Sequence, residues 1–371
     1  MMYGPGALQS GAQCSKSASS ALAVLLLSLL PGAHAALVIG DADDMAGALA
    51  VRTGSAGLWN YQVQPLIVTQ GGTGEQPADH ATPAGQYTGV GDLIIDGSIR
   101  CTASRIGERT LLTAAHCLSD DYGTVTAGSA TVTFTTAAGL ETHAVAAIDQ
   151  DSIHPLYTGD YIEGFDVALL ELATTPSSAV QTYDLLRDDS ADVGATFNVV
   201  GVGRSGTGDV GDTLASGTKR DGSNSFDADG YILQTVFGTA ADRYESILMF
   251  DFDDGQAAND AFGYFFGLDD PGFADEVNIA PGDSGGPSFI GGQIAGVTSF
   301  GLRLQYTGTG DSSDVDAELN SSFGEFSGVA RIANADILSW IDAFTPAPPT
   351  LPLLITGLLA VAAGGRRRAP A

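Results

Sequence analysis

Residues 280–287 read Ala-Pro-Gly-Asp-Ser-Gly-Gly-Pro, with Ser284 set among three glycines and two prolines. Glycine allows a tight backbone turn and proline fixes the segments that enter and leave it, so the run describes a sharp loop presenting one hydroxyl. A serine hydroxyl is a weak nucleophile at neutral pH. Acyl transfer needs an imidazole titrating near that pH to take its proton and a carboxylate to hold the imidazole in the right tautomer. Two earlier stretches supply them: Leu112-Thr-Ala-Ala-His116-Cys117 and Phe165-Asp166-Val-Ala-Leu-Leu-Glu-Leu172. The same glycines let the N–H groups of Gly282 and Ser284 converge where an oxyanion would develop.

Chain order narrows the choice of catalytic plan. Gly282-Asp-Ser284-Gly-Gly also fits the G-x-S-x-G elbow of α/β-hydrolases, but there the histidine follows the serine, and no histidine occurs after His154. A subtilisin order needs the acid before His116, where Asp92 and Asp96 lack flanks as specific as those of Asp166. The order that remains is His116, Asp166, Ser284. Taken singly, a histidine in an apolar context is a packed residue and an aspartate before a β run is a turn residue; three convergent roles identify a site. His80, His143 and His154 join no such set, and no cysteine and histidine spacing suits a metal.

The three blocks, in this order, resemble the trypsin/chymotrypsin family of serine peptidases over roughly residues 88–342. The resemblance implies two perpendicular six-stranded β-barrels with the triad between them, His116 as general base, Asp166 as its orienting partner and Ser284 as nucleophile. It also implies an oxyanion hole from Gly282 and Ser284, and a Cys101–Cys117 bridge fixing the histidine loop. Ser299-Phe300-Gly301 stands where the family has the strand that pairs with the substrate backbone, a case of strand addition. Six residues before the nucleophile, Asn278 occupies the base of the specificity pocket where trypsin-like members carry aspartate, so preference for Arg or Lys is unsupported. A register shifted onto Asp275 or Glu276 would restore it. Ala280 replaces a cysteine common in the family. Asp283 matches the aspartate that pairs with a newly cut N-terminal ammonium; the nearest match to such a start is Val38-Ile39-Gly40, which a cut at or just past the leader would expose.

The texture between these blocks agrees with an all-β fold. Leu93-Ile-Ile, Thr110-Leu-Leu, Ala130-Thr-Val-Thr-Phe, Val167 to Leu172, Phe197-Asn-Val-Val and Gln293-Ile-Ala-Gly-Val are short β runs separated by turn signals. One helix is expected, from about Ile332 to Phe344, stopping before Pro346. Residues 36–87 are weakly patterned and read as an N-terminal extension without a function of its own, before a peptidase domain over 88–345. Within that domain, about 203–270 is a Gly- and Asp-rich insertion. Asp221 to Asp229 and Asp251-Phe-Asp253-Asp254 offer oxygen ligands, but neither has EF-hand spacing, and solvated loops are favoured over structural calcium. No cofactor is expected. Asn320-Ser-Ser, a glycosylation sequon, reads as a plain loop.

Both ends read as addresses. Residues 1–35 carry Lys16 as their only charge, an apolar stretch Ala21 to Leu30 and Ala33-His34-Ala35, the plan of a secretory signal. Cys14 would leave with it, so an exported chain keeps Cys101 and Cys117, and two cysteines there suggest one disulfide, worth about 3 kcal/mol by loop closure. At residues 346–371 a Pro-rich motif precedes an apolar stretch from Leu351 to Ala363 and Arg366-Arg367-Arg368. That stretch is shorter than the roughly 20 residues that span a bilayer comfortably. The tripartite plan resembles the bacterial PEP-CTERM sorting tail of the VPLPA type, which implies a sorting peptidase as partner and a membrane contact through this segment.

Of the 371 residues, 44 are acidic and 15 basic, a net charge of −29. A chain this acidic repels phosphate backbones and anionic lipid heads, which sets aside nucleic acid and polybasic membrane contacts. With 44% hydrophobic residues it is not a disordered polyanion. The expectation is therefore an exported serine endopeptidase, of the cell envelope, the surface or the extracellular space, acting on protein or peptide substrates. The alternatives are a non-catalytic surface or adhesion module on a protease scaffold and an esterase using the same triad.

Overall fold

The computed structural model describes residues 51–344 apart from 65–67, 70–75, 239–240, 269–271 and 274–275, and ahead of these the strand Ala36–Leu37. The expected leader, the start near Val38 and the sorting tail lie outside the described residues. Two antiparallel systems carry the fold.

The first is a six-stranded sheet in the order Ala168–Glu171, Thr110–Thr113, Ile99–Arg105, Val90–Ile95, Ala130–Thr136, Gly139–Ala144. Alternation of Leu93 and Ile95, Val132 and Phe134 puts these side chains inside with Ala103, Leu111 and Leu169. Between Val90–Ile95 and Ile99–Arg105 the chain turns through Asp96 and Gly97, both at positive φ. The Asp96 carboxylate accepts the N–H groups of Gly128 and Ser129. An isolated bridge between Val145 and Leu172 joins the two edge strands, so the sheet closes into a barrel and leaves no open edge there.

The second system is a ten-stranded sheet organised around one long strand, Gln293–Tyr306. It pairs with Pro287–Ile290, with Phe326–Arg331 and with Trp59–Gln64. Pro287–Ile290 pairs onward with Thr196–Gly201, and that strand with Arg220–Ser225; Ile247–Asp251 adds beyond Phe326–Arg331. A smaller four-stranded sheet joins Ser205–Thr207, Gly211–Leu214, Val68–Thr69 and Val277–Asn278. The C-terminal helix runs Ala335–Phe344 and buries Ile337 and Ile341; its Trp340 meets the ring of His154 edge-on at 5.1 Å. Two shorter helices, Tyr231–Phe237 and Ala261–Phe266, pack on the second sheet.

Two expectations change. Of the two acidic stretches expected to be solvated loops, one begins inside the strand Arg220–Ser225 and the other begins at the last residue of the strand Ile247–Asp251, both in the second sheet. In the first of them Gly222 and Asn224 point inward, and the Asn224 amide donates to the carbonyls of Asp251 and Val277. Small and polar residues with a period of two were masked by their turn-like composition. The N-terminal extension is likewise built in: Arg52–Ala56 and Trp59–Gln64 form a hairpin whose Trp59 and Val63 are buried in the main core.

Candidate active site

The three blocks meet where the barrel and the large sheet face each other. His116 sits in a one-turn 3₁₀ segment, Ala115–Cys117, immediately after the strand Thr110–Thr113. Its flank is tied down by the disulfide between Cys101 and Cys117, the pairing expected from sequence. Asp166 precedes the strand Ala168–Glu171. The residue before it, Phe165, has φ +59°, a strained value for an aromatic residue. Its N–H is held by Ser246 Oγ at 3.1 Å, and its ring stacks on His154 at 5.0 Å. That kink turns Asp166 inward.

The Asp166 carboxylate accepts three hydrogen bonds. One oxygen takes the His116 backbone N–H at 2.9 Å; the other takes His116 Nδ1 at 2.6 Å and Ser299 Oγ at 2.5 Å. Asp166 is 1% exposed and His116 4%. A bonded Nδ1–H fixes the tautomer that leaves Nε2 as the acceptor, and Nε2 is buried without a hydrogen-bond partner. The Ser299 hydroxyl is a member of the site that sequence reasoning placed only on the substrate strand; no local pattern marks a serine as a carboxylate's donor.

Ser284 is anchored through its backbone. Its carbonyl accepts the Thr102 N–H at 2.8 Å, while Thr102 Oγ1 donates to Gly282 O at 3.0 Å. The Ser284 turn is thus stitched to the barrel strand that carries Cys101. A Cβ on Gly285 would lie 2.1 Å from Thr113 Oγ1 and 2.3 Å from Thr102 O, so that close approach requires glycine. Gly282 takes φ +99°. Among the described residues no acceptor engages the N–H of Gly282 or of Ser284, which leaves both donors available.

The Asp283 carboxylate is fully buried and accepts the N–H of Gly203 at 2.7 Å and of Ala280 at 2.9 Å, holding the loop from behind. The Arg220 guanidinium, lowered from its ordinary value by burial, is opposed in that shift by the charge of Asp283. Asn278 is buried: its Oδ1 accepts Ser327 Oγ at 2.5 Å and the Ile279 N–H, and its Nδ2 has no partner. Glu276 is turned away to accept the Asp253 N–H, and Asp275 lies outside the described residues.

Phe300 is buried and stacks on Tyr161 at 6.1 Å. Gly301, expected to offer its edge to substrate, pairs with Ser327 on one side and with Gln64 on the other. Tyr161 stands edge-on to His116 at 6.0 Å, and burial raises its hydroxyl pKa, so the phenol stays neutral beside the imidazole.

The trypsin family model matches residues 77–242. That span takes in His116 and Asp166 and ends before Ser284. Among solved structures, neuropsin, a serine protease expressed in the limbic system of mouse brain, shares 17% identity. The alignment covers 72% of this chain and 98% of that one, with a TM-score of 0.49. No curated protein matches. The trypsin family model thus matches part of this chain, whose architecture is mostly β.

Away from this centre, the carboxylates of Asp251, Asp253 and Asp260 lie within 4.8 Å of one another and are buried. Burial first, then the charges of Asp253 and Asp227, push the Asp251 carboxyl well above the ordinary range. Asp260 was absent from the sequence reading because it joins the pair only through the helix Ala261–Phe266, whose N-cap it is. Among the described residues no helix is long and apolar enough to cross a membrane.

Proposed function

We propose that this chain is an exported serine peptidase that hydrolyses peptide bonds through an acyl-enzyme at Ser284. The observation that carries the reading is the His116 imidazole, gripped by Asp166 at Nδ1 and left with a partnerless Nε2, beside a serine turn with two available N–H donors. In the proposed reaction Ser284 Oγ attacks the scissile carbonyl while its proton passes to His116 Nε2. The oxyanion is held by the N–H groups of Gly282 and Ser284. Collapse breaks the C–N bond, and the amine leaves with the proton from His116. Water then repeats the sequence on the ester, regenerating the hydroxyl and releasing the acid.

Asp283 would lock the oxyanion loop, with an N-terminal ammonium as its partner in the active enzyme. Export and tethering rest on the leader and tail motifs, with a sorting peptidase acting on the tail. No cofactor enters the reaction.

Ser284→Ala tests the core of this reading: it is expected to abolish both peptide hydrolysis and labelling by a fluorophosphonate probe. A purified wild-type protein that shows neither would refute it.

A further inference from the structure

The long strand Gln293–Tyr306 passes the reaction centre at Ser299, whose Oγ bonds Asp166, and then runs on away from it. From Gly301 onward its edge on the hairpin side is taken. The pairing with Trp59–Gln64 is antiparallel and continuous, from Gly301↔Gln64 through Leu302↔Val63 to Tyr306↔Trp59. Among the described residues, only Ser299 and Phe300 lie between the triad contact and that ladder without a strand partner on this edge. An acyl chain that adds to the strand beside the triad can face those two residues and then meets the backbone of Gln64.

The hairpin is fixed to both halves of the molecule. On the sheet side Trp59 packs against Tyr306 at 4.8 Å, Phe265 at 5.4 Å and Phe266 at 6.0 Å, and Tyr61 meets Phe237 at 4.8 Å. On the barrel side Arg52 donates to Asp121 and to Gly159 O, pairs with Asp160 at 3.1 Å and lies over the Tyr161 ring at 4.7 Å. The Tyr161 hydroxyl donates to Val63 O at 3.4 Å. Displacing this element would return Trp59, Val63 and their aromatic partners to water, a larger loss than the backbone bonds of one more substrate residue regain.

We propose that the hairpin Arg52–Gln64 is a permanent wall closing the acyl side of the cleft after two residues, so that this enzyme cuts peptides after their first or second residue. The inference rests on the serine peptidase reading and narrows the endopeptidase expected from sequence to one acting next to a chain's N-terminus.

The test is a series of fluorogenic aminocoumarin amides with one to four residues and a free amine, the residue next to the amide being varied at each length. Wild-type kcat/KM is expected to be highest at one or two residues and to fall about tenfold or more by four, a loss of transition-state binding. Rates that rise with length to three and four residues would overturn the proposal. Fluorophosphonate labelling separates the two failures. A labelled enzyme that prefers long substrates sinks this inference alone, whereas an unlabelled, inactive protein sinks the peptidase reading with it.

Arg52→Ala, which loosens the wall at its barrel end, is expected to shift the two-against-four ratio toward the longer substrate. An unchanged ratio in a folded variant whose hairpin amides exchange faster would count against the hairpin as the cause. If that variant does not fold, the wild-type series decides alone.

Discussion

Asp166 does more at this centre than orient one ring. Its carboxylate accepts from the backbone and Nδ1 of His116 and from Ser299 Oγ, so three donors fix it while it is shut off from water. Buried polar groups in such networks are costly when a partner is lost. Asp166→Asn keeps the shape but presents an amide N–H where an acceptor is needed, forcing the wrong tautomer at His116. A fall in kcat on the order of 10⁴, with KM little changed, is expected from steady-state kinetics on the best amide substrate. A fall of only a few-fold would mean that His116 is oriented by other groups. The glycine at 285 belongs to the same scale: the contact with Thr113 Oγ1 and Thr102 O leaves no room for a side chain.

At the scale of the element, the hairpin Arg52–Gln64 shows how little composition says about structural weight. Its sequence is polar and glycine-containing, yet Trp59 and Val63 sit on one face with the spacing of a β-strand and are buried. Trp59→Ala is expected to destabilise the fold by about 3–5 kcal/mol, because a large ring is lost from a site packed by three others. Urea unfolding of the purified domain measures it. A change within experimental error would show that the hairpin is an appendage and would remove the basis for a closed cleft.

For the molecule as a whole, charge is divided unevenly between surface and interior. Among the described residues Asp96, Asp188 and Asp342 are exposed, while Asp251 is buried beside Asp253, Asp227 and Glu276, with its carboxyl raised by burial first and by those charges second. A carboxyl whose folded-state pKa lies above its unfolded value stabilises fully below the unfolded value of about 4, and that stability is lost as pH rises through the folded pKa. Asp251→Asn removes the charge and keeps an acceptor for the Phe262 N–H. Melting curves taken with EDTA present, so that no cation offsets the repulsion, should show near-equal Tm at pH 4. At pH 8 the variant should gain about 2–4 °C, the shift that ~1 kcal/mol produces at this size. A gain that is largest at acid pH would contradict this assignment.

Three short stretches of sequence single out His116, Asp166 and Ser284 as a candidate triad, because that chemistry constrains the residues beside each group, and the short β runs between them carry the all-β class. The Cys101–Cys117 bridge and the C-terminal helix were legible for similar local reasons. What no local pattern carries is which strand lies beside which. The Ser299 hydroxyl on Asp166 and the Gln64 backbone against Gly301 each join residues far apart in the chain. Strand pairing is made by backbone groups common to every residue, so its partners are set by how the whole core closes. The sequence by itself determined the candidate reacting groups, because the residues beside each are local; the tertiary structure decided which strands lie beside them, because pairing depends on how the whole core closes.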